Sequence, residues 1–157
     1  MDNKPNQPDE NEHGFPENKY NKHAWILGNP DIGEEVWIGP FTLIDAKHAS
    51  LTIGKGCNIS TGAQILTHST VRRTISERKI NTIDAKPVEI GEHCFIGTNA
   101  VILMGSKIGD HSVIGAGSVV LEGSIIPPYS IVAGVPGKVI GSSKKYTKQH
   151  EELPTEA

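Results

Sequence analysis

From Ile90 onward a branched apolar residue recurs every six positions, through Ile96, Ile102, Ile108, Ile114, Val120, Ile126 and Val132. No helix accommodates that period, because steps of six residues drift off a 3.6-residue turn and scatter the apolar side chains around its whole circumference. A solenoid of short strands does. The second position of the hexad is often glycine (Gly91, Gly97, Gly109, Gly115) and the fifth is small (Cys94, Ala100, Ser106, Ser112, Ser118, Ser124, Ser130). In a solenoid the branched residue fills the interior and the small residue also points inward where space is tight. The glycine lets the backbone bend at a corner. The chain therefore reads as an all-β hexapeptide-repeat β-helix.

The pattern continues upstream through Ile32, Ile38 and Ile44, then Ile53, Ile59 and Ile65, with Val36, Thr42, Cys57 and Ala63 at the small position. Three hexads to a triangular coil give five stacked triples: 32/38/44, 53/59/65, 90/96/102, 108/114/120 and 126/132/139. The ladder breaks twice at length, after Ile44 and after Ile65. Both breaks follow the third face, so both insertions project from one edge of the prism, and insertions collected on one edge build sites.

A chain of 157 residues supports one domain. Residues 1–22 form a polar, proline-rich extension expected to be mobile. Residues 23–141 form the repeat domain, with a loop excursion over 69–89, and 142–157 form a polar tail expected to make a short helix or fray. No apolar run approaches membrane-spanning length and the opening is not signal-like, so no membrane span is expected and a soluble, cytoplasmic protein is. The net charge of −3 argues against a nucleic-acid partner. Cys57 and Cys94 occupy the inward fifth position, which marks them as buried fillers rather than a nucleophile or a disulfide, and fits a reducing compartment. No CxxC pair is present.

The run IGEHCFIGTNAVILMGSKIGDHSVIGAGSVV, followed by IPPYSIVAGVPGKVIG, resembles the hexapeptide-repeat acyltransferases, most closely the maltose, galactoside and polysaccharide-modifying sugar O-acetyltransferases. The similarity runs from Ile26 to Gly141. IGDHSVIGAGSV is the signature of the fold, whereas IPP with AGVPGKVI is more specific to the acetyl-CoA-dependent branch. The resemblance implies a left-handed parallel β-helix, an exception to right-handed crossover. It also implies a homotrimer with acetyl-CoA bound in clefts between subunits, and a histidine base that acts without a metal.

Seven histidines compete for that role. His68, in ILTHST at the root of the long insertion, stands where these transferases place their catalytic histidine; its other reading is a corner residue capping a loop. A sugar hydroxyl must lose its proton as it attacks a thioester, and imidazole is suited to take it near neutral pH, contributing on the order of 10²–10⁴ in rate. The rest comes from alignment and from backbone N–H donors at the corners aimed at the developing oxyanion. His48, near the shorter insertion, lines the acceptor pocket or serves the corner. His93 and His111 share the fourth hexad position one coil apart and should stack along an outer edge. Their alternative is a metal pair of the kind used by gamma-class carbonic anhydrases, whose IGH motif is absent here: the hexad reads IGTNAV. His13, His23 and His150 lie outside the repeat.

By resemblance, the backbones of Thr98 and Ala116 meet the pantetheine arm, Ile126, Pro127 and Pro128 flank the adenine end, and Lys138 meets the CoA phosphates. Glu122 and Gly141 depart from that pattern, since each stands where a basic residue is usual; Lys144 and Lys145 are the candidate substitutes. Phe95 is either an aromatic wall or a trimer contact. In the loop excursion Arg72 and Arg73, with Arg78 and Lys79, either meet an anionic acceptor or CoA or stay solvated; without such contacts a neutral sugar is favoured. The expected activity is acetyl transfer to a hydroxyl of a sugar or glycan precursor. N-acetylation of an amino sugar, a metal-dependent lyase and a non-catalytic scaffold are the alternatives, and fold alone does not choose among them.

Overall fold

The computed structural model describes residues 15–148. Its strands form the three faces of a left-handed triangular prism, each face a parallel sheet of five strands. Face I holds β2 (Asp31–Ile32), β5 (Leu51–Ile53), β10 (Val88–Ile90), β13 (Lys107–Ile108) and β16 (Ile125–Ile126). Face II holds β3 (Trp37–Ile38), β6 (Asn58–Ile59), β11 (Phe95–Ile96), β14 (Val113–Ile114) and β17 (Ser130–Ala133). Face III holds β1 (Trp25–Gly28), β4 (Leu43–Ala46), β7 (Gln64–Leu66), β12 (Val101–Ile102) and β15 (Val119–Val120).

Five strands per face amount to the expected five coils, but the ends differ from the sequence reading. β1 adds an unforeseen strand to face III, pairing Ile26 with Ile44. At the other end Val139 does not form a third face. It lies in β18 (Lys138–Ser142), which turns back antiparallel on β17 and pairs Val139 with Val132. The last coil is therefore closed by a folded-back strand, which continues through Ser142 into a 3₁₀ turn, Ser143–Tyr146. At the start, Asn18 accepts from the backbone N–H groups of Tyr20 and Asn21 and donates to the Ala24 carbonyl, while Tyr20 packs on the core. The packed part thus begins inside the segment assigned to the extension; residues 1–14 and 149–157, with His13 and His150, lie outside the described residues.

The ladder pairs with itself: Ile53, Ile90 and Ile108 are register partners on face I, and Ile59, Ile96 and Ile114 on face II. Ile44, Ile59, Ile65, Ile96, Ile102 and Ile114 are wholly buried. Removing such a side chain from water contributes about 1.5–3 kcal/mol. The small residues do more than fit. Ser106, Ser112 and Ser130 are buried, and their hydroxyls donate to corner carbonyls, Ser106 to Leu103 at 2.7 Å and Ser130 to Pro127 at 2.6 Å. Cys94 plays the same part, its Sγ donating to the Gly109 carbonyl at 3.2 Å, and both cysteines are free and buried as expected. A side-chain hydrogen bond with Cys57 and burial push the Cys94 thiol up, away from thiolate chemistry.

The second-position glycines have a different cause from the one inferred. A Cβ on Gly97 would sit 2.6 Å from the Ala116 nitrogen in the next coil, so these glycines answer to close stacking of coils rather than to a bend. The bend itself falls two residues later. There His93, Asn99, His111 and Tyr129 adopt positive φ, at 53°, 57°, 58° and 59°.

Candidate functional site

Face III strands end at the edge that leads to face I. At β4 and β7 the chain runs past that edge instead of turning at once. Asp45 and Leu66 are register partners there, which sets Asp45 beside the turn into His68. Thr67, wholly buried, donates its hydroxyl to the Asp45 carbonyl at 2.8 Å and clamps the two segments. The Asp45 carboxyl is 4% exposed as a residue. Its Oδ1 accepts from the Lys47 N–H at 2.9 Å, and its Oδ2 lies 3.0 Å from His68 Nδ1. That approach is short but off-line: Nδ1 is buried without an aligned hydrogen bond. Such contacts tighten when substrate closes a site. With Asp45 at Nδ1, Nε2 is the nitrogen left to face a substrate.

His48 completes the cluster. It follows β4 in the short insertion, and its ring centroid lies 4.4 Å from that of His68 at 50° between planes. Burial, then the His68 and Lys47 charges, hold His48 below its ordinary value, partly offset by Asp45.

The long insertion is built rather than loose. β8 (His68–Ser69) pairs antiparallel with β9 (Asp84–Ala85), and between them lies a short helix, α1 (Val71–Ile75). Arg72 grips Asp84 through Nε and Nη2 at 2.8 and 2.5 Å, which holds the Asp84 carboxyl below its usual range. Its guanidinium is thus paired within the arm. Arg73 is half-buried with Nε unpartnered among the described residues, and the structure does not bring it to the His68 cluster by any recorded contact. Adjacent strand residues point to opposite sides. Ser69 accordingly lines a cavity of about 460 Å³ with Arg72, Met104 and Glu122. Within it Glu122 is neutralised by Lys86 at 2.8 Å, which explains an acidic residue where a base was expected.

The residues assigned to the cofactor divide between the two other edges. Thr98, Ala116 and Lys138 gather where face II meets face III. The Gly117 N–H donates to the Thr98 carbonyl at 2.8 Å, and Lys138 pairs with Ala133 at the same end of β17. This edge is open, since a Cβ on Gly117 would meet nothing within 4 Å, and such an edge suits an extended chain of amides. Ile126, Pro127 and Pro128 stand on the edge between faces I and II. Ile126 is 8% exposed and points into the prism, so only its backbone is offered outward. On that same edge His93 and His111 stack at 5.3 Å and 22°, and His111 stacks on Tyr129 at 4.8 Å and 7°. Lys144 covers Tyr129 at 4.8 Å from the ring centre. Near-parallel rings do not converge on an ion, and among the described residues no three His, Cys, Asp or Glu side chains cluster as metal ligands.

Asp45 and Thr67 escaped the sequence reading. One signal was available: Asp45 is an acid directly after a ladder residue, where other hexads carry glycine, alanine, serine, leucine or proline. Its pairing with His68 depended on the stacking of two coils.

The hexapeptide repeat of succinyl-transferases matches residues 87–122. A hexapeptide-repeat-containing acetyltransferase from Vibrio cholerae is 30% identical over 76% of this chain and 70% of its own, with a TM-score of 0.54. The chain belongs to the hexapeptide-repeat acyltransferase family. The complex of that Vibrio cholerae enzyme with acetyl coenzyme A superposes at a TM-score of 0.64, with 31% identity over 76% of this chain; this member of the family spans 63% of the length of that one. A galactoside acetyltransferase in complex with coenzyme A is 28% identical over 80% of this chain and 65% of its own, at a TM-score of 0.55. An N-acyltransferase from Bacillus cereus in complex with dTDP and 3-hydroxybutyryl-CoA shares the fold at a TM-score of 0.70, with 21% identity over 85% of this chain and 73% of that one. Among curated protein sequences none matches this family member.

Proposed function

We propose that this protein transfers an acetyl group from acetyl-CoA to a hydroxyl of a sugar or glycan precursor, with His68 as general base. The observation that carries the reading is the buried Asp45 carboxyl 3.0 Å from His68 Nδ1, at the root of an arm that the repeat alone does not require. Membership of the acyltransferase family supports the class of reaction, and the acetyl-CoA complex of the Vibrio cholerae relative supports the donor. The partner at Nδ1 also favours His68 over His48 as the base, because a carboxylate there orients the ring and stabilises the charge that arrives with the proton.

In this mechanism Nε2 of His68 takes the proton of the attacking hydroxyl while its oxygen bonds to the acetyl carbon. The carbon–sulfur bond breaks, and the proton passes from His68 to the departing CoA thiolate. No group on the chain needs to carry the acetyl unit. Backbone N–H groups at the corners supply the oxyanion donors.

His68 and the Thr98, Ala116 and Lys138 edge are separated by the whole of face III within one chain, so a complete site calls for a neighbouring copy. The surface supports a homotrimer of that kind. Trp37 and Phe95 project from face II at 53% and 45% exposure, and Phe41 stands out on the II/III edge at 69%, whereas Thr52, Glu89 and Lys107 make the outer row of face I largely polar. Free buried thiols fit a cytoplasmic protein.

The test is thiol release from acetyl-CoA against sugars and amino sugars, comparing the native protein with His68→Ala after both are shown to be folded and to bind CoA. Release that depends on a sugar hydroxyl and disappears in the variant is expected. Release with amino sugars alone would replace O-transfer by N-transfer, and the absence of both CoA binding and release would end the transferase reading.

A further inference from the structure

The His68 cluster contains one side chain that base catalysis does not use. His48 sits on a separate insertion, its ring centroid 4.4 Å from that of His68, and it is exposed while Asp45 and Thr67 are buried. The two imidazoles are tilted at 50° rather than stacked flat. We propose that His48 selects the acceptor, holding a second hydroxyl of a neutral polyol adjacent to the hydroxyl that His68 deprotonates. The inference rests on the reading of His68 as the base.

Three features favour a neutral diol over an anionic acceptor. Burial and the neighbouring His68 and Lys47 disfavour the charged form of His48, so near neutral pH its ring offers one N–H donor and one nitrogen acceptor. That pair matches a hydroxyl, which both donates and accepts, and matches poorly an anionic oxygen that only accepts. Two cations of the nearby arm are already matched, Arg72 to Asp84 and Lys86 to Glu122. Asp45, buried yet close enough for its charge to act on His48, adds a negative field that disfavours a phosphate there. The occupant with the right chemistry is a sugar ring presenting two adjacent hydroxyls and no charge.

The experiment compares the methyl glycosides of glucose, galactose and mannose with their monodeoxy analogues as acceptors, for the native full chain, His48→Ala and His48→Asn. In the native protein, one deoxy analogue that still keeps the acetylated hydroxyl should fall about tenfold in kcat/KM, the scale of a single net hydrogen bond. In His48→Ala the parent glycoside should fall to the value of that analogue while the analogue is unchanged, and His48→Asn should restore part of the difference. KM for acetyl-CoA should be the same in all three. Equal losses for parent and analogue, or discrimination that survives His48→Ala, would overturn the proposal.

A readout without turnover separates this inference from the one beneath it. The imidazole resonances of the ¹⁵N-histidine-labelled native protein, with His48 identified by its absence from His48→Ala, are followed as each glycoside and its analogues are added. A His48 shift with the parent and none with the critical analogue supports the proposal even if no transfer occurs. No His48 shift with any parent glycoside overturns it. Survival of transfer in His68→Ala would instead refute the base.

Discussion

Asp45 Oδ2 and His68 Nδ1 stand 3.0 Å apart across two successive coils, and the Thr67 hydroxyl, bound to the Asp45 carbonyl at 2.8 Å, holds the two segments in that register. In the proposed mechanism a carboxyl so placed, once the contact aligns, selects which imidazole nitrogen carries the proton and where the ring points. That mechanism needs no contact between Asp45 and substrate, so in it Asp45 acts as a positioning residue.

Replacing it therefore has a defined signature. Asp45→Asn should lower kcat on the order of 10²-fold, with KM for acetyl-CoA unchanged and the fold intact by circular dichroism. A variant with lowered thermal stability and an undiminished kcat would reduce Asp45 to a structural clamp for Lys47.

The arm should respond to acid through its own ion pair. Arg72 depresses the Asp84 carboxyl, so the attraction is fully present above the unfolded carboxylate value of about 3.9 and is lost as pH falls through the depressed one. Hydrogen exchange in the arm should accelerate over that range in the native protein. Asp84→Asn should show the faster exchange already at neutral pH, with the melting of the prism unchanged, since the pair lies at the surface.

The inner and outer positions of the prism should tolerate substitution very differently. Ile114→Ala removes a wholly buried ladder residue that stacks between Ile96 and Val132, and should cost about 2–5 kcal/mol in denaturant unfolding. Lys107→Ala, on the outer row of face I, should stay within about 0.5 kcal/mol.

A fourth test concerns the stacked edge. Gly56 has φ of +70°, and a Cβ there would lie 2.3 Å from His93 Nδ1. Gly56→Ala should destabilise by about 1–3 kcal/mol through backbone strain and collision together. Adding His93→Ala should recover the collision but not the strain, so a double-mutant cycle by thermal melting should give a clear coupling. Additive losses would show that the ring moves aside freely.

What could be read from the chain follows from one physical fact: a period of six leaves a polypeptide few ways to bury every sixth residue. The ladder from Ile32 through Val132 specified the strands, their register and the inward thiols of Cys57 and Cys94, and the interruptions after Ile44 and Ile65 marked the edge that carries His48 and His68. These are local or periodic properties, legible because each coil repeats the last. The ends were less legible, as Val139 shows: a terminal strand has no next coil to hold it in register, and it folds back on β17. The partners of the functional side chains were not legible at all. Asp45 meets His68, Arg72 meets Asp84 and Lys86 meets Glu122 only because insertions of unequal length return to stacked coils. The repeat determined that there would be a prism with an arm at one edge; tertiary stacking decided which carboxyl faces which base, because that depends on distances between coils that no sequence spacing encodes.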